Sequence, residues 1–372
     1  MSGQGEALSL FLELAGIPSP PGEERAVADV VLRYLGGLGL KADEDGCGPA
    51  IGSSMGNIYV DLEPTASGTP LFFCAHLDTV PPTAQIEPVV EDGVVRNAAG
   101  TILGADDKSA VAVMLEAARR VLAENRPHAG IELLFTPKEE VGLLGAAAFD
   151  HTRLHAQVGY VYDQAAPIGE IVLGAPYSQA MKVRFHGRAS HSGMYPEEGR
   201  SAIAAAARAI ADLRLGRVDD ETTANVGTIQ GGTAGNIVPE WCSFDAEARS
   251  HDERKLADLV REMLETFAFA ASLADCEVET SVKKSYRGYR FKRDDLVVRL
   301  AAAALERSGH APTYGLSGGA ADANVFNERG LPCLNLANGM TSIHTSDEHI
   351  AVDDLDAMVE VTLALVDAAR GT

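Results

Sequence analysis

The chain has 372 residues, with 31 Lys and Arg against 53 Asp and Glu, so its formal charge is −22. This acidic excess argues against a nucleic-acid partner and against an anionic membrane surface, because both are bound mainly through clustered Lys and Arg. The length exceeds the roughly 250–300 residues over which one core keeps growing, so we expect two domains that need no disulfide support.

The first 175 residues alternate between helical and strand patterns. The opening stretch predicts two helices joined by a Pro-rich turn, and an amphipathic helix is predicted after Gly104. Four apolar runs predict strands at 57–62, 70–75, 131–136 and 157–162. The run at 70–75 is continuously apolar, which is typical of a strand covered on both faces. This alternation predicts an α/β domain with a largely parallel central sheet flanked by helices.

The pattern changes near Pro176. The elements predicted from there are a strand at 178–189, a helix at 199–213, strands at 222–230 and 241–249, a helix at 252–273 and a strand at 276–284. This β-α-β-β-α-β order is the ferredoxin-like arrangement of a compact α+β domain. Helix and strand alternation then resumes, so we expect a smaller domain at 176–287, inserted into a larger one built from 1–175 and 288–372.

Three features indicate a soluble cytoplasmic protein. No apolar stretch approaches the roughly 18 residues that a membrane-spanning helix needs. The start, Met1-Ser-Gly-Gln-Gly-Glu, lacks the basic and then apolar layout of a signal peptide. The cysteines are scattered and form no Cys-x-x-Cys pair, which is typical of free thiols in a reducing compartment; they are Cys47, Cys74, Cys242, Cys276 and Cys333.

Imidazole and carboxylate side chains follow successive predicted strands. His76-Leu77-Asp78 comes directly after the strand 70–75, and Glu139-Glu140 and Asp163 stand at the ends of the next two strands. Open α/β sheets place their sites at the carboxyl ends of their strands, so we expect these groups to meet. Two further candidates are Asp106, which precedes a helix, and His344, which lies in a Gly-rich region after a predicted strand.

Each of these residues also has an ordinary structural interpretation. His76 alone is typical of a histidine that is hydrogen-bonded in a turn, and Glu139-Glu140 alone of a solvated loop. For Asp107 we favour the role of helix N-cap. Taken together, however, the candidates offer the imidazole and carboxylate ligands that zinc accepts, and a pair of ions needs one carboxylate to bridge them. The absence of cysteine from these positions favours a catalytic site over a structural one.

The chain resembles the M20 family of co-catalytic zinc peptidases, and most closely its tripeptidase T and peptidase T-like branch. The resemblance extends over nearly the whole sequence. It rests on these segments: Ala75-His-Leu-Asp-Thr-Val, Gly104-Ala-Asp-Asp-Lys, Glu139-Glu140 with Gly142 and Gly145, Ser190-His-Ser-Gly, Gly231-Gly-Thr-Ala-Gly-Asn, Ala248-Arg-Ser, Gly318-Gly-Ala-Ala-Asp-Ala-Asn and His344-Thr-Ser-Asp-Glu.

The resemblance implies a role for each residue of the proposed centre. Two Zn²⁺ ions per subunit are implied, with Co²⁺ or Mn²⁺ as substitutes. Asp106 would bridge both ions, with His76 and Asp163 completing one site and Glu140 and His344 the other. Asp78 would orient His76, and Glu139 would be the base that moves a proton from the bridging water to the leaving amine. A cis peptide is implied after the bridging aspartate.

The resemblance also assigns functions to the inserted domain, which would serve as a lid and as the dimer interface. His191 would contribute to the oxyanion pocket of the partner subunit, and Asn236 would likewise reach across a homodimer. Arg249 would hold a substrate carboxylate, for which a guanidinium is suited because it binds carboxylates bidentately.

Three functions remain open at this point. The leading one is an aminopeptidase that releases the N-terminal residue of short peptides, with tripeptides foremost. The second is a deacylase of the same family that cleaves N-acyl or N-succinyl amino acids; by analogy Asp163 favours the aminopeptidase, since the deacylases tend to carry Glu there. The third is an inactive metal-binding scaffold, which the intact Glu139 opposes. Ala321 departs from the peptidase T-like pattern, which usually has Ser there, so a hydroxyl near Asp322 is missing.

Overall fold

The computed structural model describes residues 5–371. The chain divides into two compact units, one built from the chain up to Ala175 and from Arg290 onwards, the other spanning Pro176–Tyr289. None of the helices within the described residues combines the length and the apolar character that crossing a bilayer requires.

The larger unit receives its helices and strands from both ends of the chain. The first part contributes α1 (Glu6–Ala15), α2 (Arg25–Gly37), β1 (Ala42–Glu44), α3 (Gly48–Ile51), β2 (Ile58–Leu62), β3 (Leu71–His76), β4 (Pro88–Glu91), β5 (Val94–Asn97), α4 (Ala105–Ala123), β6 (Ile131–Thr136), α5 (Leu144–Ala148), β7 (Val158–Gln164), β8 (Glu170–Val172) and β9 (Gly174–Ala175). A short 3-10 helix, His151–Arg153, precedes β7.

The smaller unit and the end of the chain follow. The smaller unit contains β10 (Tyr177–His186), α6 (Ala202–Asp212), β11 (Gly216–Asp219), β12 (Thr222–Gly231), β13 (Trp241–Ser250), α7 (Glu253–Leu273) and β14 (Glu277–Tyr286), with a 3-10 helix at Pro196–Glu198. The last part of the chain adds β15 (Tyr289–Arg290), α8 (Leu296–Arg307), β16 (Thr313–Gly315), α9 (Asp322–Glu328), β17 (Cys333–Ala337), β18 (His349–Ala351) and α10 (Val352–Ala369).

The larger unit is organised around an eight-stranded sheet in the order β1-β2-β6-β3-β7-β17-β8-β16. The four central strands β6, β3, β7 and β17 are parallel, while β2 pairs antiparallel with β6, and β8 antiparallel with β17. The sheet is therefore mixed, with a parallel centre, and the predicted α/β class is confirmed. Because the central strands are parallel, their carboxyl ends meet at one edge of the sheet.

Helices cover both faces of the central strands. Every residue of β3 and β6 is buried. Phe73 packs on one face with Tyr160 and Tyr162, beside α4, whereas its neighbour Phe72 points to the other face against Phe326 of α9. This two-sided burial explains the continuously apolar sequence of the strand, because alternation of polar and apolar residues appears only where one face is solvated.

Three of the strands missed by the sequence analysis, β4, β5 and β18, are short and partly exposed. A small sheet in the order β18-β5-β4 joins an antiparallel hairpin at 88–97 to a strand close to the end of the chain. Strands of three or four residues with few buried side chains leave too little hydrophobic periodicity to be recognised.

The smaller unit is a five-stranded antiparallel sheet, β11-β12-β13-β10-β14, with two helices. Without the short edge strand β11, its strands follow the ferredoxin-like order in which the first and third are central. Its core is separate from that of the larger unit and is formed where α6 and α7 pack on the sheet. Phe244 of β13 meets Phe267 of α7 edge to face, with the ring centroids 5.4 Å apart.

A matched pair of substitutions on α7 tests this core. Phe267 is fully buried, whereas Phe269 is 58% exposed on the same helix. We expect Phe267→Ala to lower the free energy of unfolding of the smaller unit by about 3–5 kcal/mol, because it removes apolar contacts and leaves a cavity. Phe269→Ala should change it by less than about 0.5 kcal/mol. Urea unfolding followed by circular dichroism measures both; equal effects would contradict the assigned core.

Candidate metal centre

The predicted imidazoles and carboxylates meet at the carboxyl edge of the central sheet. His76 is the last residue of β3, and Glu139-Glu140 follow β6 after a short turn. Asp163 lies near the end of β7, and Asp106 lies at the start of α4. His344 is carried by a loop after β17. Five segments that are remote in sequence thus deliver these side chains to one place.

Asp106 occupies the centre of the group. Its Oδ1 lies 3.1 Å from Nε2 of His76, and its Oδ2 lies 3.1 Å from Nε2 of His344. The same nitrogen of His344 lies 3.0 Å from Oε1 of Glu140. Each oxygen of one carboxylate therefore faces a different imidazole, which is the arrangement needed for a carboxylate shared between two cations.

The hydrogen bond made by Nδ1 of His76 determines the tautomer of its neutral imidazole. The tautomer decides whether Nε2 faces Asp106 with a lone pair or with a proton. Nδ1 lies 2.8 Å from the backbone carbonyl oxygen of Asp78, and since a carbonyl can only accept, Nδ1 carries the proton when the imidazole is neutral. Nε2 then turns a lone pair towards a carboxylate oxygen at 3.1 Å. Two acceptors at this distance require a proton or a metal ion between them, so the geometry suits a metal-bound histidine.

A second cluster shares His76. Ligand atoms of His76, Glu139 and Asp163 lie within 4.8 Å of one another, as do those of His76, Asp106 and Glu140. Burial, reinforced by neighbouring negative charges, raises the pKa of Glu139 and of Asp163 well above the usual range of carboxyl groups. The centre thus holds more negative charge than its own imidazoles balance, and this donor set fits divalent cations.

The pKa values of the two imidazoles are raised as well, because neighbouring carboxylates stabilise their charged form. Hydrogen bonds to Asp106 and Glu140 raise the pKa of His344 to about 10. Burial lowers the pKa of His76, but Asp106 and the negative charge of Glu139 outweigh burial, and the net pKa is raised. Asp106 itself has a lowered pKa, because the hydrogen bonds from both imidazoles outweigh its burial. These shifts express one local property, an excess of negative charge that attracts cations.

The carboxylate of Asp78 holds the two glutamates. Its Oδ1 accepts the N–H of Glu139 at 2.9 Å and its Oδ2 accepts the N–H of Glu140 at 3.1 Å. The Oδ1 lies 3.7 Å from Nδ1 of His76, which is beyond hydrogen-bond distance, so Asp78 orients the imidazole through its backbone carbonyl. One residue therefore fixes both the histidine and the turn that carries the glutamates.

The structure adds residues to which sequence reasoning gave no role. The side-chain amide of Asn335 on β17 clamps Asp163, accepting its N–H at 2.9 Å and donating to its carbonyl oxygen at 2.6 Å. Lys108 is fully buried, and burial lowers its pKa to about 7. Asp322 is buried and accepts a hydrogen bond from Thr136 at 2.6 Å. The Gly-rich motif that contains Asp322 was the one sequence signal for this residue.

Asp107 does not act as the predicted helix cap. Both of its carboxylate oxygens are buried without a hydrogen-bond partner among the described residues, and the N-cap position, Gly104, has no side chain that could cap. The peptide between Asp106 and Asp107 is cis, as the resemblance implies. The prediction was wrong because the start of this helix, including Asp107, is buried.

The candidates in the smaller unit lie at its two ends. His191 and Asn236 occupy paired turns, in which the N–H of Ser192 donates to the carbonyl oxygen of Asn236 at 3.0 Å. Nδ1 of His191 accepts the N–H groups of Gly193 and Met194, both at 3.2 Å, so Nε2 carries the proton. Arg249 lies eight residues after the start of β13, or about 26 Å further along the strand, and contacts Glu247.

Residues 72–368 match the sequence pattern of peptidase family M20/M25/M40. The chain belongs to this family. The resemblance inferred from the sequence is thus confirmed, and the chain is a peptidase, that is, a hydrolase. The matched segment includes all the residues of the described centre.

This member of the family is similar over its full length to proteins from three bacteria. It is 37% identical to the "Uncharacterized protein YqjE" of Bacillus subtilis strain 168, over 99% of this chain and 100% of that one. The aminopeptidase PepT from Bacillus cereus has 38% sequence identity to this chain, and its crystal structure gives a TM-score of 0.89 over 99% of both chains. A tripeptidase from Staphylococcus aureus has 33% sequence identity, and its crystal structure gives a TM-score of 0.95 over 100% of both chains.

His76 is the natural position at which to test the centre, because it belongs to both clusters. We expect His76→Ala to reduce the bound divalent metal to at most one ion per chain, since it removes a ligand and leaves Asp106 without one of its two imidazole neighbours. Elemental analysis after dialysis measures this. His155→Ala is the control, because that side chain is 76% exposed and is not part of either cluster. Two full equivalents in the His76 variant would contradict the assignment.

Proposed function

We propose that the chain is an aminopeptidase that removes the N-terminal residue of short peptides, tripeptides foremost, with two divalent metal ions, Zn²⁺ first, as its cofactors. The observation that carries the proposal is the position of Asp106, with one carboxylate oxygen facing His76 and the other facing His344. In this proposal His76, Asp106 and Asp163 hold one ion, and Asp106, Glu140 and His344 hold the other.

Protein side chains perform the proton transfers. When bound, the ions polarise the scissile carbonyl and lower the pKa of water, so that a nearby carboxylate can act as base near neutrality. Glu139 takes a proton from the attacking water and delivers it to the nitrogen of the leaving amine. Glu139 is buried, which shields the transferred proton from bulk water between the two steps. Asp78 keeps Glu139 in place through the backbone N–H.

Asp163 supports a free amino terminus as the substrate's reacting end, because by analogy the deacylases of the family tend to carry Glu at this position. The names of the Bacillus cereus aminopeptidase and the Staphylococcus aureus tripeptidase, both similar along their full length, support the same choice.

The smaller unit supports a homodimer in which two chains complete each site. His191 presents an Nε2–H donor, which suits the stabilisation of a developing oxyanion. Arg249, which would bind the substrate carboxylate, lies about 26 Å further along the sheet than the strand end beside His191. A tripeptide spans about 10 Å, so both residues act on one substrate only if they come from different chains.

A cytoplasmic location is part of the proposal. All five cysteines are free thiols, and Cys74, Cys242 and Cys333 are buried among core side chains. Buried free thiols are typical of proteins that fold in a reducing compartment.

Glu139 and Glu140 provide a matched pair of substitutions for the mechanism. We expect Glu139→Gln to keep both ions and to lower kcat/KM by about 10²–10⁴-fold, because it removes the base and leaves the proposed ligands intact. Glu140→Gln should instead lower the metal content, since it removes a ligand. Elemental analysis and peptide hydrolysis measured on the same samples separate the two effects. Unchanged turnover in the Glu139 variant would remove this residue from its proposed role.

The substrate class is tested with a free tripeptide and the same peptide acetylated at its amino terminus. We expect the free tripeptide to be cleaved after its first residue, with activity lost on addition of a chelator, and the acetylated peptide to react at least tenfold more slowly. Chromatography of the released amino acids identifies the bond that is broken. Faster turnover of the acetylated peptide would favour the deacylase, and no turnover of either would favour the scaffold.

A further inference from the structure

Glu348 is a buried carboxylate that connects two of the segments forming the centre. Its Oε2 accepts the N–H groups of Leu103 at 2.7 Å and Gly104 at 2.8 Å, and its Oε1 accepts the N–H of Asp106 at 3.0 Å. The side chain is only 2% exposed. Three backbone N–H groups of the segment that carries Asp106 are therefore held by a single carboxylate, and hydrogen bonds to a charged acceptor are the strong ones.

The backbone around Gly104 is shaped to present these N–H groups. Gly104 has φ +78°, a left-handed conformation that favours glycine, and a Cβ atom here would approach Cγ2 of Thr79 to 3.2 Å. The turn at Gly104 lets the N–H groups on both sides of it reach the same carboxylate. The segment that leads into Asp106 is thus fixed by hydrogen bonds from outside its own helix.

Glu348 also lies at the base of the loop that carries His344. The loop is closed by paired backbone hydrogen bonds between Thr341 and His349, at 3.0 and 3.1 Å, and His349 begins β18, which pairs with β5. His344 has φ +63° and extends from this loop towards Asp106. Glu348, next to the paired residue His349, therefore accepts hydrogen bonds from the segment of Asp106. The tip of the same loop places the imidazole of His344 3.1 Å from the Asp106 carboxylate.

We propose that Glu348 is a positioning residue, which fixes the separation between Asp106 and His344 and thereby sets the affinity of the ion held between them. The inference rests on the proposed two-ion centre. Asp106 and His344 come from segments more than 230 residues apart in the chain, and the Glu348 carboxylate ties the first to the base of the second. Without it, each segment would keep its own local structure but lose a fixed position relative to the other.

Glu132 is a matched control elsewhere in the same unit. It is also 2% exposed, and its carboxylate accepts the backbone N–H groups of His155 at 2.9 Å and Ala156 at 2.7 Å. These contacts join a strand to a loop that holds no proposed ligand. Replacing Glu132 by Gln removes a comparable buried charge and comparable hydrogen bonds, so it reports the general cost to the fold.

The test is a titration of metal-free protein with Co²⁺, followed by visible absorption and by calorimetry, for wild type, Glu348→Gln and Glu132→Gln. We expect Glu348→Gln to bind one ion with wild-type affinity and the other about 10–100-fold more weakly, the loss that replacing an outer-shell partner typically causes. Its Co²⁺ spectrum should also differ at the second equivalent. Glu132→Gln should bind both ions within twofold of wild type, even if its thermal stability falls.

Several results would overturn the inference. Wild-type affinity for both ions in Glu348→Gln would do so, as would equal losses in the two Gln variants, which would indicate a general effect of buried charge. If Glu348→Gln fails to fold, Glu348→Asp, which keeps the charge but withdraws it by one methylene, is titrated instead, and failure of both to fold would assign Glu348 to stability alone. Wild type that binds fewer than two ions would contradict the proposed function itself.

Discussion

The structure depends on the electrostatics of a crowded carboxylate cluster at one sheet edge. Asp106, Glu139 and Asp163 are brought within a few ångströms of His76 in a site from which most solvent is excluded. Like charges repel strongly in such surroundings, and burial penalises each of them further. The raised pKa values of Glu139 and Asp163 are the consequence, and divalent cations are the natural compensation. Cation binding would thus balance the part of the chain's negative charge that is concentrated at this sheet edge.

Holding such a cluster together needs a scaffold that resists repulsion. The parallel centre of the sheet supplies it, since β3, β6 and β7 end at the same edge and are buried on both faces. Polar side chains then fix the ends. Asp78 holds the backbone of both glutamates, and Asn335 clamps the backbone of Asp163. These tethers act on main-chain groups, so the side chains of the proposed ligands remain free to face an ion.

Much of the fold was predictable because the larger elements carry strong periodicity. The strand at 131–136 was predicted with its observed ends, and the helix predicted at 252–273 spans Glu253–Leu273. The ferredoxin-like order of the smaller unit followed from its sequence of elements. The hairpin at 88–97 was missed, since its short strands are largely exposed. In the site, residue types and strand ends indicated His76, Glu139, Glu140 and Asp163, but the resemblance to a family was needed to assign their individual roles.

The sequence by itself determined the class of the domains, the family and the residues that we propose as metal ligands, because these depend on local patterns and on residue chemistry. Tertiary structure alone decided which contacts organise the centre. Asp78 holds His76 by its carbonyl, Asp107 is buried instead of capping its helix, and Glu348 joins the segments of Asp106 and His344. Such contacts depend on distances between segments that are remote along the chain, and no local periodicity records those distances.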